Sequence, residues 1–354
     1  MIDQKKVNKT KQLIIKLIEN GKVPDPLIRL AIRQLLRERL SKIPLSNPEI
    51  CSAYVSQFLS EMTIAPVAIT PEKANQQHYE VPAAFFELVL GQRRKYSSCY
   101  WPDGIKTLDN AEIESLAKTC ERAGLLDGQE ILELGCGWGS LSLWMAEQYP
   151  NSRIKAVSNS HSQRLYIMDK AAEKGYSNLD VITRDMNVFD TNARFDRIVS
   201  VEMFEHMRNW QLLFGRVSEW LKPGGLFFMH VFCNRSLPYE FVVQNESDWM
   251  GRHFFSGGMM PSYHLPLYFQ DKLKLTRQWS WSGKHYEDTA NAWLANMDSQ
   301  KQQIWPILVE TYGSDQALTW WVRWRVFFMS CAELFGYDHG SEWFVGHYCF
   351  ERPY

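Results

Sequence analysis

From Asp127 onward, short apolar runs alternate with amphipathic stretches, a rhythm that predicts strands separated by helices in an α/β sheet. Ile131–Leu134 reads as the first strand and Leu141–Tyr149 as its helix. Ile154–Val157 is the second strand, followed by a helix from His161 to Lys174. Leu179–Thr183 and Phe195–Val201 are strands three and four, with a helix from Arg208 to Leu221 after them. Lys222-Pro223-Gly224-Gly225 reads as a turn before strand five, Leu226–Phe232. The rhythm then stops. Residues 233–275, punctuated by Gly257-Gly258, Pro261 and Pro266, are long enough for a lid or binding element. Arg277–Tyr286 and Glu342–Phe350 predict two further strands with helical sequence between them.

Upstream the pattern differs. Residues 1 to about 70 predict short helices broken by Pro24, Pro26, Pro44 and Pro48. This gives a helical N-terminal extension, 1–70, ahead of a main domain, 71–354. Arg29, Arg33 and Arg37 recur every fourth residue, and such a basic face could lie on an anionic membrane. A solvated face, or one paired with nearby acids, is the commoner outcome and the one expected here.

The end of strand one carries the most specific chemistry. Ile131-Leu132-Glu133-Leu134-Gly135-Cys136-Gly137-Trp138-Gly139 is an apolar strand running into a tight glycine turn that opens a helix. Glycines tolerate positive φ and let a ligand approach the backbone closely, beneath the free N–H groups of the helix start. A dinucleotide wants G-x-G-x-x-G and an acid at the end of the next strand for the ribose. Here the spacing is G-x-G-x-G, and strand two ends in Ser158-Asn159-Ser160. The dinucleotide reading therefore loses to S-adenosylmethionine.

Charge and composition exclude other classes. The 354 residues carry a net charge of −1, so no global basic field attracts nucleic acid. Seven cysteines without a C-x-x-C pair argue against a disulfide framework and a zinc site, so no metal is expected. The N-terminus lacks the apolar core of a signal peptide, and no run is long enough to span a bilayer, which predicts a soluble, cytoplasmic protein without stable membrane insertion. Eleven of the fourteen tryptophans lie from Trp210 onward. Core packing must explain most of them, with a few left to line a pocket for a bulky or cationic substrate.

From about Gln77 to the C-terminus the chain resembles the coclaurine and pavine N-methyltransferases, within the broader cyclopropane-fatty-acid synthase family of S-adenosylmethionine-dependent methyltransferases. The marks are His78-Tyr79-Glu80-Val81-Pro82, Tyr96-Ser97-Ser98-Cys99-Tyr100, the glycine turn and Val201-Glu202-Met203-Phe204-Glu205-His206-Met207. Asp248-Trp249-Met250, Gly257-Gly258-Met259-Met260-Pro261-Ser262, Gly283-Lys284-His285-Tyr286 and Glu333-Leu334-Phe335-Gly336-Tyr337 complete the ordered set.

The resemblance implies a class I, Rossmann-like methyltransferase sheet of seven mostly parallel strands. Residues 233–275 would form its substrate lid. It implies a cofactor site of Glu133, Gly135 and Gly137 on the methionine side, with Ser158, Asn159 and Gln163 on the ribose side. Asp185 and Met186 would take the adenine, and Tyr96, Ser97, Ser98 and Val201 would close over the cofactor. Glu80, Glu205 and His206 match residues implicated in binding and deprotonating an amine, with Glu202 as a nearby wall. In the lipid branch a bicarbonate base is held by residues matching Ser98, Glu205, His230 and Tyr286, the first being a cysteine there. Cys331 matches a cysteine traditionally called active, though a packed, inert thiol is the commoner case. The expected partner is a bulky small-molecule amine of the benzylisoquinoline kind, with a homodimer allowed. The alternative is a lipid-modifying, cyclopropane-forming enzyme, and a non-catalytic cofactor-binding module is disfavoured by the intact acid and histidine.

Overall fold

The structure is a computed structural model that describes residues 4–43, 47–69, 81–241 and 249–354, with side chains from residue 12. Three helices come first, α1 (Gln4–Glu19), α2 (Asp25–Ser41) and α3 (Pro48–Ile64), followed by α4 (Ala83–Val89) and α5 (Leu108–Ala123). Pro26 stands in the first turn of α2 and Pro48 opens α3, where a missing N–H costs nothing. Asn47 caps α3 by accepting from the N–H groups of Glu49 and Ile50, each at 3.1 Å.

The alternating region folds as predicted. β1 (Glu130–Leu134), α6 (Ser140–Gln148), β2 (Arg153–Ser158), α7 (His161–Glu173), β3 (Leu179–Thr183), β4 (Phe195–Val201) and α8 (Trp210–Trp220) follow in turn. Then come β5 (Leu221–Asn234), a small β6–β7 pair (Tyr239–Glu240 with Met259–Met260) and the short α9 (Trp249–His253). β8 (Lys274–Trp281), α10 (Gly283–Ser299), α11 (Lys301–Tyr312), α12 (Ala317–Phe335) and β9 (Trp343–Glu351) close the chain. The seven-stranded sheet has the order β3-β2-β1-β4-β5-β9-β8, and β9 alone runs against its neighbours.

Two boundaries depart from expectation. Lys222–Gly225 belongs to β5, whose Leu221 pairs with Phe195 across an irregularity before regular pairing resumes at Arg197. The predicted strand Arg277–Tyr286 ends at Trp281, because Ser282 caps a helix and accepts from the Lys284 N–H at 3.3 Å. Tyr286 is therefore helical, and points across to the sheet rather than lying in it.

The N-terminal helices share cores with the sheet domain. Ile28 belongs to the apolar cluster around α12, and Phe58 and Met62 to the cluster beneath β4 and β5. The arginine face of α2 is paired: Arg29 and Arg33 both donate to the Glu333 carboxylate on α12, at 2.9 and 2.6 Å. Among the described residues no helix is long and apolar enough to cross a membrane.

Candidate active site

The turn after β1 is fixed from below, since Val157 of β2 accepts from the N–H groups of Gly135 and Cys136 at 3.0 and 3.1 Å. Gly135, Gly137 and Gly139 all have positive φ, of 80°, 52° and 79°. Their reasons differ. A Cβ on Gly135 would meet the Met203 side chain at 2.5 Å, whereas one on Gly137 would meet no protein atom within 4 Å. Gly137 thus faces open space at the C-terminal edge of the sheet.

That space is a cleft in two parts that meet at Gly135, Gly137 and Glu202. The first, open to solvent and spanning about 770 Å³, is lined by Ala68, Val157, Ser158, Asn159, Gln163, Arg184, Asp185, Met186, Met203, His206, Met207, Ser256 and Gly257. The second, of about 580 Å³, is lined by Lys95, Tyr96, Ser97, Glu133, Trp138, Ser140 and Val201 among others. All the predicted cofactor residues except Ser98 therefore line one continuous cleft. Arg184, Ala68, Met203, Met207 and Ser256 also line the cleft and were not foreseen, although all but Ala68 lie in or beside the motifs named above.

The groups in the cleft fit S-adenosylmethionine. Glu133 is buried and, among the described residues, accepts only from the Ser142 hydroxyl, and burial pushes its carboxyl up to about 7. An ammonium placed against it would relieve that cost. The Gln163 carbonyl oxygen accepts from Ser158 at 2.8 Å, leaving the buried Gln163 Nε2 without an acceptor. The Ser140 hydroxyl is likewise buried and unpartnered. A ligand carrying a cationic amino group and hydroxyls would satisfy these three groups. Ser158 is partly committed locally, since its hydroxyl also accepts from the Ser160 N–H at 3.0 Å.

The acid and histidine after β4 separate in space. Glu202, at the end of the strand, holds φ of 47°, a left-handed value that costs a non-glycine residue energy and that clusters at functional sites. Its carboxylate accepts from the Ser98 N–H at 2.8 Å and the Tyr286 hydroxyl at 2.7 Å, and His230 Nε2 lies 3.2 Å away. Glu202 thus takes the centre of the group expected around Glu205. Glu205 turns instead into the core, where Oε1 accepts from the Phe232 N–H at 2.7 Å and Oε2 is buried without a partner. Burial, with the charge of Glu202 nearby, holds the Glu205 carboxyl well above the ordinary carboxylate range.

His206 lines the cleft, with its ring stacked on Phe255 at 4.6 Å between centroids. Burial pushes its pKa down to about 4, against the opposing pull of Glu202, so its imidazole is neutral at pH 7. His230 and Tyr286 stand behind Glu202 and do not line the cleft. Cys331 lies on α12, where burial and then the nearby Glu202 raise its thiol. Glu80 lies outside the described residues. None of the eleven tryptophans from Trp210 onward is among the lining residues; Trp210, Trp220, Trp293, Trp324 and Trp343 are instead fully buried. Packing accounts for them. Among the described residues, no group of three or more His, Cys, Asp or Glu side chains could hold a metal.

The chain is similar in sequence and fold to known methyltransferases. The family model of mycolic acid cyclopropane synthetase matches residues 68–340. The (S)-coclaurine N-methyltransferase of Thalictrum flavum subsp. glaucum is 36% identical, over 99% of both chains. Pavine N-methyltransferase of the same plant is 32% identical, over 96% of both. A crystal structure of coclaurine N-methyltransferase bound to N-methylheliamine and SAH superposes with a TM-score of 0.93 at 34% identity, covering 97% of this chain and 100% of that one.

Proposed function

The chain belongs to the mycolic acid cyclopropane synthetase family and is an S-adenosylmethionine-dependent methyltransferase, and from that premise we propose that it methylates the nitrogen of a bulky, benzylisoquinoline-like amine. The near full-length similarity to enzymes named for such amines supports the substrate class. The observation that carries the reading is the pairing of Glu202 and His206 on one cleft, beside the glycine turn.

Glu133, Gly135, Gly137, Ser158, Asn159, Gln163, Asp185 and Met186 would hold the cofactor, with Tyr96, Ser97 and Val201 on the other side. When bound, S-adenosylmethionine supplies an electrophilic methyl group on a positively charged sulfur. The residues of the chain handle the proton. An aliphatic amine with a pKa near lysine's, about 10.4, arrives protonated and has no free lone pair. Glu202 offers the cation a carboxylate with three donors already behind it. His206, uncharged in its buried position, presents a ring nitrogen to the ammonium proton. Burial lowers its basicity and the Glu202 carboxylate acts in the opposing sense, so its capture of the proton, which frees the substrate nitrogen, depends on Glu202 being charged. Glu205 positions that histidine, since its bond to Phe232 pins the turn Phe204–His206 against β5.

The lipid reading is weaker for a structural reason. Of the groups expected to cradle bicarbonate, the His230 ring and the Tyr286 hydroxyl are bonded to the chain's own Glu202, and the Ser98 hydroxyl donates to the Cys99 carbonyl at 3.3 Å. Incubation with methyl-labelled cofactor and a panel of amines and phospholipids tests the proposal. Label is expected in a tetrahydroisoquinoline-like amine, and label confined to the lipid fraction would overturn it.

A further inference from the structure

Glu202 is the end of a longer chain of contacts. His230 approaches it through Nε2, and the other ring nitrogen, Nδ1, lies 2.9 Å from Nε2 of His347. Nδ1 of His347 in turn lies 2.7 Å from a guanidinium nitrogen of Arg122, near the C-terminal end of α5. His230 and His347 face each other across β5 and β9, in register and wholly buried. Arg122 packs against Trp279 and Trp281, 5.1 and 5.6 Å from their ring centres. Among the described residues no carboxylate forms an ion pair with it, so His347 is the partner that fixes its polar end.

An arginine can only donate, and that fact propagates. His347 Nδ1 must accept, so the proton of its neutral ring sits on Nε2. That N–H is donated to His230 Nδ1, which must accept in its turn. The His230 proton is therefore on Nε2, pointing at Glu202. Both rings are neutral, because burial and the neighbouring cations hold their pKa values well below the ordinary histidine range. No other assignment satisfies three consecutive contacts.

We infer that Arg122 is a remote positioning residue for methyl transfer, which sets the tautomers of His347 and His230 so that Glu202 always receives an N–H donor from behind. The cation itself stays out of the cleft, where it would repel a charged substrate, while its directionality reaches the carboxylate through two rings. Because arginine does not give up a proton, the chain ends there and drains none from the site. The functional half of the inference rests on Glu202 facing a cationic amine; the tautomer half does not.

Glu202 also feels other groups that the test must hold constant. Burial raises the Glu202 carboxyl from its ordinary value, and the buried Lys95, with Nζ donating to Ser97 Oγ and to the Ser98 carbonyl at 2.7 and 2.5 Å, opposes that rise and favours the charged form. His206 adds to this effect only when it carries a proton, the Glu205 carboxyl is held well above its ordinary range, and burial raises the thiols of Cys99 and Cys331. Around Arg122 itself, only Tyr100 and Glu121 act electrostatically from the acidic side. Arg122→Met removes the charge that Tyr100, Glu121 and the two histidines feel, whereas Arg122→Lys keeps it.

The test is nitrogen-15 NMR of the full chain with labelled histidine, bound to S-adenosylhomocysteine. His230 and His347 should each show a protonated Nε2 and an unprotonated Nδ1. In Arg122→Met, which keeps an apolar stem against the tryptophans, the two rings should lose that single assignment. The acid limb of the rate profile should move to higher pH, since a carboxylate with one donor fewer protonates more readily. Arg122→Lys, still an obligate donor, should restore both readouts. A wild-type His230 protonated on Nδ1 would overturn the inference with no variant needed. So would an Arg122→Met protein whose tautomers and pH profile match the wild type. Failure of the amine assignment would leave the wild-type tautomers as stated, so the two claims fail separately.

Discussion

On the cofactor side of the cleft, most lining groups come from the C-terminal ends of parallel strands or the loops that follow them, with Tyr96 and Ser97 added from the segment before α5. Gly135 and Gly137 follow β1, Ser158 and Asn159 end β2, and Asp185 and Met186 follow β3. On the proton side, Glu202 draws its partners from the segment before α5, from β5 and from α10, with β9 and α5 behind them. The first arrangement is local and repeats along the chain; the second is assembled once, from distant segments. A local site tolerates loop variation as long as each strand ends correctly. An assembled one depends on the antiparallel insertion of β9 between β5 and β8, which puts His347 opposite His230.

The same contrast explains what could be read in advance. Strands β1 to β4 fall within a residue or two of expectation, because alternation of apolar runs and glycine turns is a short-range signal. The glycine turn was legible for the same reason, whereas the other cofactor residues were expected from the family resemblance. The hub at Glu202 was not. Spacing placed Glu202 and Glu205 three residues apart, but a left-handed φ at Glu202 and a 3-10 turn at Phe204–His206 send their carboxylates to different places. Arg122 and His347 carried no motif at all, since their relation exists only through sheet register. Tyr286 was misplaced because the aromatic run before Ser282 reads as strand until the cap is recognised.

Breaking the cofactor side should give the largest effect. Gly137→Val places a branched side chain in the open cleft, with no protein atom within 4 Å to obstruct folding. The left-handed φ adds a strain on the order of 1–3 kcal/mol. Calorimetric binding of S-adenosylhomocysteine should be lost while the circular dichroism spectrum stays native. Gly135→Val is the contrasting change, since its Cβ meets Met203 at 2.5 Å and the melting temperature should fall as well. Unchanged affinity in Gly137→Val would remove the glycine turn from the cofactor site.

Breaking the proton side should leave cofactor affinity in place and slow the chemistry. His206→Ala should lower kcat/KM at pH 7 by about 10²–10⁴-fold, the usual contribution of a general base. The pH dependence has a definite sign. With its pKa pushed down to about 4, His206 is unprotonated throughout the assay range, so its own titration sets no limb above pH 5. The amine does. As pH rises toward the amine's pKa, solvent takes over deprotonation and the gap between variant and wild type should close. A defect of constant size from pH 6 to pH 10 would mean that His206 orients the substrate without moving a proton.

The smallest effect should mark the edge of the proton side. Cys331 stands on α12, close enough to Glu202 for that carboxylate to help keep its thiol protonated, yet it does not line the cleft. A thiol raised this far supplies no thiolate at neutral pH, and displacement at a sulfonium carbon needs no protein nucleophile. Cys331→Ala should therefore leave kcat and both binding constants unchanged. Its cost should appear in unfolding by urea, at about 1 kcal/mol for a side chain packed against the α12 cluster. The rate should also keep its pH profile, because a neutral thiol and a methyl group present the same charge to Glu202. A large loss of kcat in a folded, cofactor-binding Cys331→Ala would carry the chemistry out to α12. It would also show that the proton side extends beyond the residues that Glu202 and His206 gather.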